Sequence, residues 1–303
     1  MIIVFGSIGL DIVQSVRHLP RPGETILTTD YVMLPGGKGA NQALAAARAG
    51  AEVGFVASIG DDDFGRRALF NLERAGIDLS GVAHAARPTA CATVAVDSQG
   101  ENQIVVSSGA NLDTAAAQLT ARPGDLVLQQ MEIPATEIWA GIDRAEAIGA
   151  RAILNAAPFQ PIPPAQLAKL DVLIVNEVEA AMLAGDLGLD PAHPRRACAQ
   201  VRDRFNLTAV LTLGGQGALA FAPDATLRAC ALPLRAIDTV GAGDAFVGAF
   251  VAAMAAEQSL ADCLRWGSVA GGLTCLQPGA QDGIPDLAAI LERQGEIELT
   301  PIS

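Results

Sequence analysis

The chain has 303 residues, half of them hydrophobic and 17% charged, with a net charge of −13. That length holds one large domain or two ordinary ones around a substantial core, and the composition excludes a disordered chain. The acidic balance excludes a surface built for nucleic acid or an anionic membrane, although a small phosphorylated ligand needs only a local cluster of donors.

The N-terminal run MIIVFGSIGLDIV is apolar, lacks a basic n-region and meets an acid at Asp11, so it predicts a first strand and not a signal peptide. Beyond it, Val/Ile-rich runs alternate with Ala-rich stretches. Strands are predicted at 2–6, 53–57, 126–130, 152–155, 172–176 and 209–213. Helices are predicted at 39–49, 64–75, 113–121, 135–148, 177–184 and 194–205. Continuous apolar strands separated by helices indicate a parallel sheet covered on both faces.

Two segments break this rhythm. Residues 12–34 are polar and Pro-containing with no helical period, and ACATVAVDSQGENQIVVS (90–107) predicts a hairpin around Ser98-Gln99-Gly100. Both fit a small separate sheet placed as a lid over the strand ends. The expected division is a large unit of 1–11, 35–88 and 108–303 with a lid of 12–34 and 89–107. The apolar run 245–256 is too short to span a bilayer. Five cysteines (Cys91, Cys198, Cys230, Cys263, Cys275) show no CxxC pair and read as reduced packing in a cytoplasm. His18, His84 and His193 stand far apart without ligand spacing, which argues against a histidine metal site.

Several motifs carry chemistry, each beside a plainer reading. Pro35-Gly-Gly-Lys-Gly-Ala-Asn41 either bares backbone to a ligand, with Lys38 and Asn41 as donors, or is a glycine turn into a helix. It is not a P-loop, and GxGxxG is absent, which disfavours a dinucleotide enzyme. Asn176-Glu-Val-Glu179 reads as a capping box, or as an amide and a carboxylate orienting Mg²⁺ waters over a triphosphate. Thr212-Leu-Gly-Gly-Gln-Gly217 reads as a hairpin turn or as room for a nucleotide. Glu132 and Asp11 are acids at apparent strand ends. Asp11, Glu132, Asn176 and Thr212 all follow predicted strands, so one sheet edge collects them, and open α/β sheets bind ligands at that edge. In DTVGAGDAF (238–246) small residues bare the N–H groups of a helix start, with Asp244 in its first turn. That acid either complements the helix dipole or works beside a bound phosphate.

Two long segments, GGKGANQALAAARAGAEVGFVASIGDDDFG (36–65) and DTVGAGDAFVGAF (238–250), resemble ribokinase-type sugar kinases of the phosphofructokinase-B family, with LPRPGET, NEVEA and LTLGGQG in matching order. The resemblance covers essentially the full length. It implies a three-layer α/β/α fold, doubly wound around a mostly parallel sheet, with a small β lid. It implies ATP-dependent phosphorylation of a primary hydroxyl of a small sugar, most readily ribose to ribose 5-phosphate. Asp244 would be the general base, with the N–H groups of Gly241, Ala242 and Gly243 as an anion hole. Asp11, Gly37, Lys38, Asn41 and Glu132 would bind the sugar with Asp244. Asn176, Thr212, Gly214, Gly217, Gly243 and Ser268 would border the nucleotide, and Glu179 would face Mg²⁺. Asp238 with Val240, Thr274 and Gly279 would hold a monovalent cation, K⁺ by the resemblance. A homodimer through the lid is a further implication.

Three positions depart from the family pattern. Gly9 replaces an Asn that touches the sugar, Gly283 replaces a hydroxyl side chain of the cation site, and Ser268 replaces an amide or imidazole near the adenine. Gly9 keeps a nucleoside kinase, or a kinase for another pentose or ketose, open as the alternative. A non-catalytic sugar or nucleotide sensor is the alternative of a different class, and the retained Asp244 speaks against it.

Overall fold

The computed structural model describes residues 1–302. Strand β1 (Ile2–Phe5) is buried at every residue. The chain then leaves the main sheet through Ser7 and Ile8. It enters β2 (Gly9–Ser15) and returns as β3 (Val32–Gly36), antiparallel to β2. Helix α1 (Lys38–Arg48) follows at once and buries the eight residues from Gly39 to Ala46. A helix covered this completely belongs in the core and not at the surface. β4 (Val53–Gly60), α2 (Asp63–Arg74) and β5 (Asp78–Ala85) form a parallel βαβ unit beside β1. The Asp62 carboxylate caps α2 by accepting from the Gly65 N–H at 2.8 Å.

The predicted hairpin is β6 (Ala90–Val96) and β7 (Asn102–Ser107), turning through Gly100 at φ 85°. β6 also pairs in parallel with β2, which gives a second sheet in the order β3-β2-β6-β7. The helix expected at 113–121 does not form. Two short 3₁₀ turns, Gly109–Asp113 and Ala116–Gln118, stand there instead, separated by extended backbone at Thr114 and Ala115. Side chains hold the extended link between the two turns: Gln118 Oε1 accepts from Ala115 at 2.6 Å, and Glu137 from Ala116 at 2.8 Å. One bond is local and the other comes from a later helix, and a short helix whose nucleation is costly does not form against them.

The main sheet continues through β8 (Leu126–Gln129), α3 (Ala135–Ile148), β9 (Arg151–Asn155), the single turn α4 (Pro164–Leu167), β10 (Val172–Asn176), α5 (Glu177–Asp186), α6 (Pro194–Phe205) and β11 (Thr208–Thr212). β12 (Ala218–Phe221) and β13 (Thr226–Ala229) then add antiparallel strands. α7 (Ala242–Ala255), α8 (Leu260–Thr274) and α9 (Leu287–Arg293) precede the last edge strand, β14 (Leu299–Pro301). The ten strands run β14-β13-β12-β11-β10-β9-β8-β1-β4-β5, parallel from β11 to β5. One apolar core joins the sheet to α1, α7, α8 and α9, and a second joins its other face to α3, α5 and α6. The molecule is a three-layer α/β/α sandwich with a small separate sheet. β5, β13 and β14 carried no strand signal because they are partly exposed at or near the edges and lack the continuous apolar runs of the centre.

α1 and α7 pack unusually close. A Cβ at Gly248 would lie 2.5 Å from Ala45 Cβ and 2.6 Å from the Gln42 carbonyl, so only glycine lets the two backbones meet there. Asp244 sits one turn before Gly248 on the same face of α7 and therefore looks at α1.

Candidate active site

Asp244 lies in the first turn of α7, 7% exposed. The turn before it is possible because Gly241 adopts φ 77° and carries no Cβ, which would otherwise stand 2.5 Å from the Ala280 carbonyl. In front of the helix start the space is open, for a Cβ built on Gly243 meets no atom within 4 Å. The Ala242 N–H makes only a long 3.3 Å turn contact with Thr239. A helix N-terminus with bare amides and open space before it is suited to an anion.

The carboxylate of Asp244 is held from behind. Asn41 Nδ2 donates to one oxygen at 3.0 Å, and Gln42 Nε2 to the other at 2.9 Å. Lys38, at the opening of α1, has its ammonium pKa raised chiefly by the Asp244 charge. That effect outweighs burial, and Glu132 and Glu179 add to it. Three acids therefore share one cation.

Glu132, just past β8, accepts from Ser7 Oγ at 2.6 Å and from the Lys38 N–H at 2.9 Å. It binds the loop after β1 to the start of α1 and does not cap α3, which begins at Ala135. Asp11 requires a correction. It does not follow the first strand of the main sheet but lies within β2, paired with Leu34 of β3 and Ala92 of β6. The second sheet thus brings it in from above the sheet edge. Burial, assisted by the Glu132 charge, pushes its pKa up to about 6. Its carboxylate rests on Gly36, where a Cβ would lie 2.7 Å away. Gly37 caps α1 at φ 91° and approaches Ile8 Cα to a distance that no side chain allows.

Asn176 and Thr212 end β10 and β11 as direct partners in the parallel ladder. The capping box is formed in full: Asn176 Oδ1 accepts from the Glu179 N–H, and Glu179 Oε2 from the Asn176 N–H, each at 2.8 Å. Burial raises the Glu179 pKa, against the lowering by that hydrogen bond and by Lys38. Glu179 is thus a cap whose carboxylate also lies within the fields of Lys38 and Asp244. Gly214 (φ 53°) and Gly217 (φ 91°) form the tight turn between β11 and β12, with open space at the Gly214 Cα. Ser268, in α8, is buried and its hydroxyl has no hydrogen-bond partner.

Asp238, Val240 and Gly279 are tied together, because Asp238 accepts from the Val240 N–H at 3.0 Å and the Gly279 N–H at 2.9 Å. Thr274 is fully buried, with its hydroxyl donated to Ala270 and its carbonyl accepting only a long 3.4 Å contact from the Gln277 N–H. Gly283 packs on that carbonyl, since a Cβ there would stand 2.5 Å from it. Any cation cage here is therefore built of carbonyls and one already hydrogen-bonded carboxylate. No group of three His, Cys, Asp or Glu side chains placed to hold a metal ion occurs among the described residues.

Four buried amides that complete this site were given no role from the sequence: Gln42, Gln130, Asn155 and Gln281, each at most 7% exposed. The available signal was a polar side chain inside an otherwise apolar stretch, as in NQALAAA and AILN.

A family model described as pfkB family carbohydrate kinase matches residues 1–287. The chain is 34% identical over 295 residues to a ribokinase of Haemophilus influenzae, covering 95% of this chain and 96% of that one. Among solved structures it resembles a ribokinase from Thermotoga maritima, with TM-score 0.88, 29% identity and coverage of 96% and 98%. An Arabidopsis thaliana ribokinase complexed with ribose and ATP gives TM-score 0.87 at 29% identity, covering 97% of this chain and 98% of that one.

Proposed function

The chain belongs to the pfkB family of carbohydrate kinases and is an ATP-dependent carbohydrate kinase, and from that premise we propose that its acceptor is ribose and its product ribose 5-phosphate. The observation that carries the reading is a buried Asp244, held by two amides at a bare helix start with open space before it. Support for ribose comes from the full-length similarity to ribokinases and from the relative that holds ribose with ATP.

In the proposed reaction the hydroxymethyl group of the sugar lies before Asp244. The carboxylate takes its proton as the oxygen attacks the γ-phosphorus of ATP, while the bond from that phosphorus to the β,γ-bridging oxygen breaks and ADP leaves with the electron pair. The amides of Gly241, Ala242 and Gly243 face the charge that grows on the transferring group. Asp11, Glu132 and Asn41 receive and orient the sugar hydroxyls with the backbone of Gly37, and Lys38 balances the surrounding acids. The nucleotide lies along Asn176, Thr212, Gly214, Gly217 and Gly243, and Ser268 borders it from α8. Glu179 fits Mg²⁺, which neutralises phosphate charge when bound, because a buried carboxylate of raised pKa gains from a cation. The Asp238 loop, with the Val240, Thr274 and Gly279 carbonyls, fits a monovalent ion such as K⁺. Gly283 supplies no hydroxyl to it.

Gly9 has a role apart from the substrate. It pairs with Ala90, and a Cβ there would stand 2.8 Å from the Ala90 carbonyl, so the glycine seats β2 against β6. It need not signal room for a base. Edge strand β7 is exposed along its whole length, with Ile104, Val105 and Val106 outermost, and this surface supports a homodimer through the second sheet. The described residues include no helix long and apolar enough to cross a membrane. A cytoplasmic setting accords with five free cysteines, of which Cys198 and Cys263 are pushed up to about 12 by burial.

The test is a panel of pentoses, ketoses and nucleosides with ATP and Mg²⁺, scored by kcat/KM. Ribose is expected to lead. A nucleoside preferred to ribose would overturn the assignment of the acceptor while leaving the kinase intact.

A further inference from the structure

Asp244 owes its placement to side chains that lie outside the glycine turns. Gln42 is fully buried, and both hydrogens of its Nε2 are used: one reaches Asp244 Oδ1 at 2.9 Å, the other Asn155 Oδ1 at 2.9 Å. The direction of these bonds is fixed from outside. The Ile174 carbonyl only accepts, so Asn155 turns its Nδ2 to it at 3.1 Å and its oxygen toward Gln42. Gln130 Nε2 donates to Gln42 Oε1 at 2.7 Å, which leaves Gln42 no choice but to present its nitrogen to the acid. A second chain arrives at the other oxygen: Asn71 donates to Gln281 at 2.9 Å, Gln281 to Asn41 at 3.0 Å, and Asn41 to Asp244 at 3.0 Å. Both chains turn donors toward the carboxylate, and chained hydrogen bonds strengthen one another.

The bland reading is that these amides merely fill a polar hole. Against it, Gln130 Oε1 is buried with no partner, a loss that apolar packing would avoid.

We infer that Gln42, oriented by Gln130 and Asn155, is a positioning residue for the phosphoryl-transfer base. It fixes the Asp244 carboxylate in one orientation, so that one face stays ready for the acceptor hydroxyl. This rests on Asp244 being the base. The other charged groups whose fields reach Asp244 are Lys38 from α1 and Glu179 from α5, with Glu132 past β8 sharing Lys38. β1 carries no titratable side chain. The ion pair of α8, Arg265–Asp262, lies in its first turns, whereas the part of α8 beside the start of α7 is Gly271, whose Cβ would lie 2.9 Å from the Ala242 carbonyl.

The experiment is steady-state kinetics at one fixed pH on the wild type, Gln42→Met, Gln130→Met and Asp244→Asn, with the best acceptor of the panel and thermal unfolding alongside. Without its donor the Asp244 carboxylate is free to turn, so Gln42→Met is expected to lose turnover and keep its substrates. Its kcat falls roughly 10- to 100-fold while KM for the acceptor and for ATP stays within about two-fold. Gln130→Met, which leaves both hydrogen bonds of Asp244 in place, lowers kcat in the same way by less. A folded Gln42→Met whose kcat stays within about two-fold of the wild type, or whose KM rises as far as its kcat falls, overturns the inference. If that variant does not fold, an unchanged kcat in Gln130→Met overturns it instead. An active Asp244→Asn would defeat the base assignment itself, whereas an inactive one beside a Gln42→Met of normal kcat defeats only the role of Gln42.

Discussion

Asp11 shows how far a residue's chemistry depends on where the chain carries it. Burial on β2, with the Glu132 charge facing it, raises its pKa from 3.8 to about 6. In the proposed reading a sugar hydroxyl donates to this carboxylate, so binding requires the ionised form. As pH falls through about 6 the acid takes up a proton and KM for the sugar should rise, by roughly tenfold between pH 7 and pH 5. Asp11→Asn should give a KM that is high and flat across that range. A wild-type KM that does not change would show that Asp11 is not in the sugar site. The same shift has a sign for stability: the folded chain holds this proton to higher pH than the unfolded chain. The contribution is therefore greatest at low pH and is lost as pH rises through about 6.

Between elements, the decisive contact is α1 on α7. Gly248 is the point of closest approach, and it stands one turn from Asp244, as Ala45 and Ala46 stand one turn from Gln42. Gly248→Val puts a Cβ and two methyl groups against the backbone of α1. It should cost about 1–3 kcal/mol of stability and lower kcat at least tenfold by drawing Gln42 away from Asp244. Denaturant melts and initial rates would check this, and an unchanged midpoint with normal kcat would refute the packing argument. Most elements were legible before the fold was known, because periodicity and caps are local signals: α6 forms over 194–205, as its pattern predicts. The stretch 113–121 misled because its four alanines favour helix, while Gln118 and Glu137 hold the extended backbone at Thr114 and Ala115. Glu137 belongs to another helix, which no local window contains.

For the molecule as a whole, the second sheet supplies Asp11 and exposes β7 to solvent. An apolar edge strand invites a partner strand, so the proposed dimer predicts a mass near twice the chain by light scattering at micromolar concentration. Val105→Lys should shift it to monomer without changing the fold. A wild-type monomer would remove the dimer from the proposal. What the amino-acid order determined by itself is the alternation of strands and helices, the glycine turns at 36–39 and 241–243, and the acid at 244. Each of these is written within a dozen neighbouring residues. Tertiary structure alone decided that Asp11 enters from a separate sheet, and that Gln42 meets Asp244 across 202 residues. Such pairings are set by the packing of whole helices and strands, and the free energy that holds them is spread over a core to which no single segment points.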